Sequence, residues 1–89
     1  MRSDFRKSFA RDLKANKTDQ DLLNRVREII EEVEKADKFS EIKNLKKLKG
    51  ESTFYRIRSG RYRVGVKIEE NLVTFIRALP RKDIYRYFP

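Results

Sequence analysis

At 89 residues the chain has room for one small domain with one modest core, and residues 1–89 are read as a single domain. It has no Cys and no His, which excludes disulfides, thiolate metal sites and imidazole chemistry, and leaves carboxylates, Lys, Arg and Tyr for any proton transfer. The net charge of +9 is carried by residues 42–89, with 13 Lys and Arg against 4 Asp and Glu, whereas residues 1–41 hold 10 of each.

A basic half of this kind suits an anionic partner, nucleic acid first among them. Val, Ile, Leu and Phe supply 25 residues, enough to place the chain among folded rather than disordered proteins. No apolar run approaches about 18 residues, and no apolar segment follows the N-terminus. The expectation is a cytoplasmic chain with no membrane partner and no cofactor.

Met1 to Phe5 can form a brief strand. Phe5, Phe9 and Leu13 recur every four residues, which predicts a short helix over 8–15. The clearest element is 19–36, where Leu22, Leu23, Val26, Ile29, Ile30 and Val33 fall on one face of a 3.6-residue period. Thr18 and Asp21 read as a weak capping box, and Asp19 and Asp21 suit the positive end of the helix dipole. Residues 39–49 are mixed: Ile42, Leu45 and Leu48 recur every third residue among lysines, as in a helical turn or an irregular connector ended by Gly50.

The remainder reads as strands. Residues 54–58 and 61–68 alternate apolar and basic side chains about Ser59-Gly60, a turn dipeptide. A turn at those two residues pairs Arg58 with Arg61, Ile57 with Tyr62 and Arg56 with Arg63. Four arginines then share one face in two opposed pairs, an arrangement that like-charge repulsion disfavours and an anionic partner explains. Tyr55 and Tyr62 fall on the opposite, core-facing side. Residues 72–79 form a further strand after a turn at 69–71; if Ile68 pairs with Leu72, Arg77 lies opposite Arg63 and joins the basic face. Pro80 ends that strand. Residues 81–88 form a short tail, in which helical spacing brings Arg81 and Tyr85 to one side and Tyr87 with Phe88 anchors the end. The fold class is α+β, in the order β-α-α-β-β-β, with two antiparallel helices on one face of an antiparallel sheet and a short C-terminal helical tail.

Arginines beside tyrosines can track phosphates and stack bases. Cleavage of RNA asks for more: a base for the 2′-hydroxyl, cations for the phosphoryl oxygens and an acid for the leaving oxygen. Arginine supplies the cations but is not readily a base. A tyrosine can be the base where cations favour its phenolate, and Tyr85 has arginines for neighbours. No carboxylate cluster is visible for a metal, so the composition permits a metal-free version.

Leu48-Lys49-Gly50, then Tyr55-Arg56-Ile57-Arg58-Ser59-Gly60-Arg61-Tyr62-Arg63-Val64, then Arg81-Lys82-Asp83-Ile84-Tyr85-Arg86 resemble the RelE/ParE superfamily of bacterial toxins, the toxin halves of type II toxin–antitoxin pairs. Phe5-Arg6-Lys7-Ser8-Phe9 also resembles the family's opening of helix one, so the likeness spans nearly the whole chain. The RelE-like branch implies an mRNA interferase that cuts in the ribosomal A site by metal-free attack of the 2′-hydroxyl. It implies three partners: ribosome, mRNA and a cognate antitoxin with acidic and apolar segments. On the family pattern Tyr85 is the general base, Arg63 and Arg81 hold the scissile phosphate, and Arg56 and Arg58 hold the RNA backbone. Arg61 and Arg77, placed on the basic face by the strand pairing, and Lys82 beside Arg81 are read as further RNA-binding residues. Two departures stand out. Arg replaces Lys at the first hairpin positions, and Pro80 stands where many relatives carry His. The alternatives are a ParE-like inhibitor of DNA gyrase and a catalytically attenuated RNA- or ribosome-binding variant.

Overall fold

Six apolar positions at helical spacing become α2 (Gln20–Lys35), whose Leu22, Val26, Ile29 and Val33 are buried. Its cap is Asp19 rather than Thr18: the Asp19 carboxylate accepts the Leu22 amide at 3.1 Å, which satisfies one of the unpaired donors of the first turn. The preceding helix, α1 (Lys7–Ala15), buries Phe9 and Asp12. Both helices pack their apolar faces on one side of a sheet built from β1 (Arg2–Phe5), β2 (Leu45–Lys47), β3 (Phe54–Ser59), β4 (Tyr62–Glu69) and β5 (Leu72–Pro80). A final helix, α3 (Arg81–Tyr87), completes the chain. This computed structural model describes residues 1–48, 50 and 53–89; Lys49 of the Leu48-Lys49-Gly50 motif lies outside the described residues. None of the described helices is long and apolar enough to cross a membrane.

The fold class is the expected α+β, with elements in the expected order. The strand order is β1-β5-β4-β3-β2, antiparallel throughout except where β1 runs parallel to β5. Residues 39–48 are neither of the alternatives alone. Phe39–Glu41 form a 3-10 turn, and Leu45–Lys47 form the edge strand β2 against β3. The core joins the helices to Ile57, Tyr62, Val64, Val66, Val73 and Phe75. Phe75 stacks on Phe5 at 5.2 Å and meets Phe9 at 5.4 Å, which fixes α1 and β1 over β5.

The hairpin turn is displaced from the sequence expectation. Gly60 and Arg61 form the loop, and Ser59 pairs with Tyr62. Gly60 has φ +59°, the left-handed geometry that a type II′ hairpin asks of its first central residue and that glycine adopts without strain. The observed pairs are therefore Arg58 with Arg63, Ile57 with Val64, and Arg56 with Gly65. The registers differ by two, an even shift, so Arg56, Arg58 and Arg63 keep the face assigned to them. Arg61 does not: it leaves the ribbon for the turn, and one opposed arginine pair remains instead of two.

The β4–β5 register also differs. Ile68 pairs with Val73, and a bulge between Gly65 and Val66 places Arg77 opposite Gly65 rather than Arg63. The guanidinium of Arg77 is engaged by Asp12 of α1, with nitrogen–oxygen distances of 2.8 and 3.0 Å. β1 ends at the Phe5–Phe75 pair, and beyond it Asp12 takes the place of a strand by accepting the Ala78 amide at 2.9 Å. This carboxylate thus satisfies both a backbone donor and a half-buried cation. Asp12→Asn keeps an acceptor for the amide and removes the charge, and is expected to lower stability by about 1–2 kcal/mol in urea titration.

Candidate active site

Two segments far apart in sequence meet on the sheet face away from α1 and α2. The hairpin brings Arg56, Arg58 and Arg63; α3 brings Arg81 and Tyr85. What seats α3 is its apolar side. Ile84 is fully buried, and Phe88 lies directly on Gly65 and makes an edge contact with Phe54 at 5.6 Å. A β-carbon on Gly65 would sit 2.7 Å from the Phe88 ring, so only glycine allows this approach. Phe88 is the expected anchor, whereas Tyr87 is exposed and lies near the Arg77 guanidinium, 5.7 Å from it. The start of α3 is held to the hairpin turn by the Arg81 amide, which donates to the Arg61 carbonyl at 2.8 Å. Pro80 precedes it with φ −57° and ψ 152°, the extended residue from which the helix departs.

Within this frame the site residues converge. The Tyr85 hydroxyl accepts from Arg56 Nε at 3.3 Å, and Arg56 Nη1 donates to the Asn44 carbonyl at 3.1 Å. Asn44 itself stands at φ 61°, just before β2, and its carbonyl also takes the Arg58 amide. Arg63 is only 8% exposed, with Nη1 donating to the carbonyls of Gly60 and Tyr62 at 2.8 and 2.9 Å. Burial, together with the charges of Arg56, Arg81 and Arg58, pulls its guanidinium below the usual arginine range. A cation placed so close to other cations is poorly compensated in the free protein, and a phosphate arriving there relieves the repulsion. The Gly60 carbonyl is itself positioned from behind: Arg25 of α2 donates to Ser59 Oγ at 3.2 Å and lies flat against the Gly60 backbone.

The sequence-predicted residues separate into groups. Arg56, Arg58, Arg63, Arg81 and Tyr85 come together. Arg61 and Lys82 border a neighbouring cleft with Arg81 and Tyr85. Arg77 is half-buried and tied to Asp12, which draws it away from the cluster. Lys46 was missed: it pairs with Arg56 across β2 and β3, so it extends the cationic face to the sheet edge. The lysine run at 43–47 was the available signal, but a period of three concealed the strand. Among the described residues no group of three or more Asp or Glu side chains stands close enough to hold a metal ion.

Tyr62, on the core side, donates its hydroxyl hydrogen to Asp19 and so joins β4 to the start of α2. That bond holds the Asp19 carboxyl below its ordinary 3.8 and pushes Tyr62 above its ordinary 10.0. The depressed carboxyl contributes stability that is present above its unfolded value and lost as pH falls through the folded one. The raised phenol contributes stability that is present below its unfolded value and lost as pH rises through the folded one. The melting temperature is accordingly expected to fall below about pH 4 and above about pH 10. Asp19→Ser removes this pair's part of the acid limb, and Tyr62→Phe its part of the alkaline limb, in thermal melts across pH.

No protein-family profile matches the chain. It is 40% identical over 86 residues to Toxin RelE3 of Methanocaldococcus jannaschii, spanning 96% of each sequence. It also superposes with a TM-score of 0.76 on a chain of the crystal structure of the RelB-RelE antitoxin-toxin complex from Methanococcus jannaschii. That chain is 37% identical, and the match covers 97% of this chain and 99% of that one. With this identity over nearly its full length, and the same fold, the chain belongs to the RelE family of toxins.

Proposed function

We propose that the chain is a ribosome-dependent endoribonuclease that cuts mRNA in the A site and is silenced by a cognate antitoxin. The observation that carries this reading is the convergence of Arg56, Arg58, Arg63, Arg81 and Tyr85 from the hairpin and α3. These groups match what phosphodiester cleavage by an internal nucleophile demands. Tyr85 accepts the proton of the 2′-hydroxyl, whose oxygen then bonds to the adjacent phosphorus. Arg63 and Arg81 take up the charge that grows on the phosphoryl oxygens. The bond from phosphorus to the 5′-oxygen breaks, that oxygen takes a proton from solvent water, and Tyr85 returns to solvent the proton it accepted. The products are a 2′,3′-cyclic phosphate and a 5′-hydroxyl.

Arg56 has a more specific part than holding backbone. Its bond to the Tyr85 hydroxyl orients the phenol, and its bond to Asn44 orients Arg56 in turn. Arg58 and Lys46 are left to track the phosphates on either side. Cations supply the charge stabilisation, so the scheme requires no metal. The RelB-RelE antitoxin-toxin complex of the structural neighbour supports an antitoxin partner, and the exposed cationic face asks of it acidic and apolar segments that cover the sheet or lift α3.

Toeprinting of a defined mRNA on programmed ribosomes tests the reading. The expected result is discrete cuts inside the A-site codon that disappear when the antitoxin is added. No cuts, together with inhibited DNA supercoiling by gyrase, gives the chain a ParE-like role instead. Ribosome binding without cuts makes it an attenuated variant.

A further inference from the structure

Beside the arginine cluster a cleft of about 730 Å³ opens between the loop after α1, the hairpin turn and the start of α3. Arg81 and Tyr85 line it as well as belonging to the cluster, so the cleft adjoins the cluster. Its other chemistry is distinctive: the cations Arg61 and Lys82 share the lining with a single carboxylate, Asp19. We propose that this cleft is a nucleotide subsite, in which Asp19 selects the base next to the scissile phosphate for an exocyclic amine. This inference rests on the endonuclease reading and adds a determinant of where the enzyme cuts.

The volume is that of a small-ligand site and accommodates a nucleotide. The charges fit one ligand class, an anion that also carries a hydrogen-bond donor: the cations face its phosphates and the carboxylate its amine. A carboxylate can only accept. It therefore favours cytosine, adenine or guanine, which carry an amine, over uracil, which presents a carbonyl in place of the cytosine amine. Asp19 is also held rigidly. One oxygen takes the Leu22 amide and the other the Tyr62 hydroxyl, which leaves about two of its roughly four acceptor positions for a ligand. The lowered carboxyl keeps this acceptor ionised at neutral pH. Arg61, whose guanidinium lies 5.1 Å from the Tyr62 ring centre, offers a planar surface against which a base can stack.

The capping and Tyr62 bonds also give Asp19 a purely structural role, and the experiment separates the two. Toeprinting uses mRNAs that differ only in cytosine or uracil at each nucleotide flanking the cut, with rates from single-turnover time courses. Wild type is expected to cut the cytosine message about tenfold faster at one of the two positions. Asp19→Asn, whose amide can also donate, brings that ratio close to one. Asp19→Ser, which retains a helix cap without the charge, does the same and guards against loss of fold in the first variant. Equal rates at both positions in wild type overturn the subsite, as does a cytosine preference that survives in both folded variants. A wild type that makes no cuts at all overturns the endonuclease reading, and the subsite with it.

Discussion

Tyr85→Phe is expected to slow RNA cleavage by about a hundredfold or more, and Arg81→Ala by a similar factor. Neither change should disturb folding. Tyr85 is 59% exposed, and its hydroxyl makes one long bond, to Arg56. Arg81 is exposed, and its amide rather than its side chain holds α3 to the turn, so alanine preserves that contact. Both variants should therefore melt within about 4 °C of wild type, since surface substitutions rarely move stability by more than about 0.5 kcal/mol. Arg63→Ala is a less clean probe. It removes a buried cation bonded to two carbonyls, so lost activity mixes with altered turn geometry. Single-turnover rates on programmed ribosomes, with a thermal melt of each variant, measure the effect. Undiminished cleavage by Tyr85→Phe removes Tyr85 as the base and leaves the arginines to act with another proton acceptor.

Gly65→Val should have the largest effect on structure. The Phe88 ring occupies the space that a side chain at 65 requires, and Phe88 is almost fully buried. Either the ring leaves or the strand shifts, and overpacking of a well-filled site costs about 3 kcal/mol. The functional result follows from the structural one. Phe88 and Ile84 are what hold α3, and α3 carries Arg81 and Tyr85, so the variant is expected to lose cleavage together with protection of its tail. Limited proteolysis and amide exchange at residues 81–88 report the release. Shortening Phe88 in the double variant Gly65→Val, Phe88→Ala should recover part of the lost stability but none of the activity, because the anchor is still missing. That asymmetry distinguishes a seat for α3 from a general packing defect.

Much of this was legible in sequence where one local pattern had one reading. The apolar stripe of α2 fits a helix and nothing else, and alternation on β4 placed Val64, Val66 and Ile68 in the core, as found. The basic face survived a wrong hairpin register because the error was an even number of residues. The turn was misplaced because Ser59-Gly60 and Gly60-Arg61 both contain the glycine, and only the observed φ decides between them. β2 was obscured because Leu45-Lys46-Lys47 is too short to display a period of two. Arg77 illustrates the remaining limit. Its partner Asp12 is 65 residues away, and no local pattern marks that a strand edge will lack a neighbour where a carboxylate can replace it. For the same reason the burial of Arg63 was unforeseen, since an arginine alternating with apolar residues is expected on the solvated face.

In this scheme the 2′-oxygen of the substrate is the nucleophile, Tyr85 removes its proton, and the arginines stabilise the charge that develops on the phosphate. An mRNA with a single 2′-deoxy nucleotide immediately 5′ of the mapped cut tests this directly. The expected result is that cleavage at that bond stops while ribosome binding is unchanged. Cleavage that continues at the deoxy-substituted bond would contradict it, because the attacking oxygen would then have to come from elsewhere.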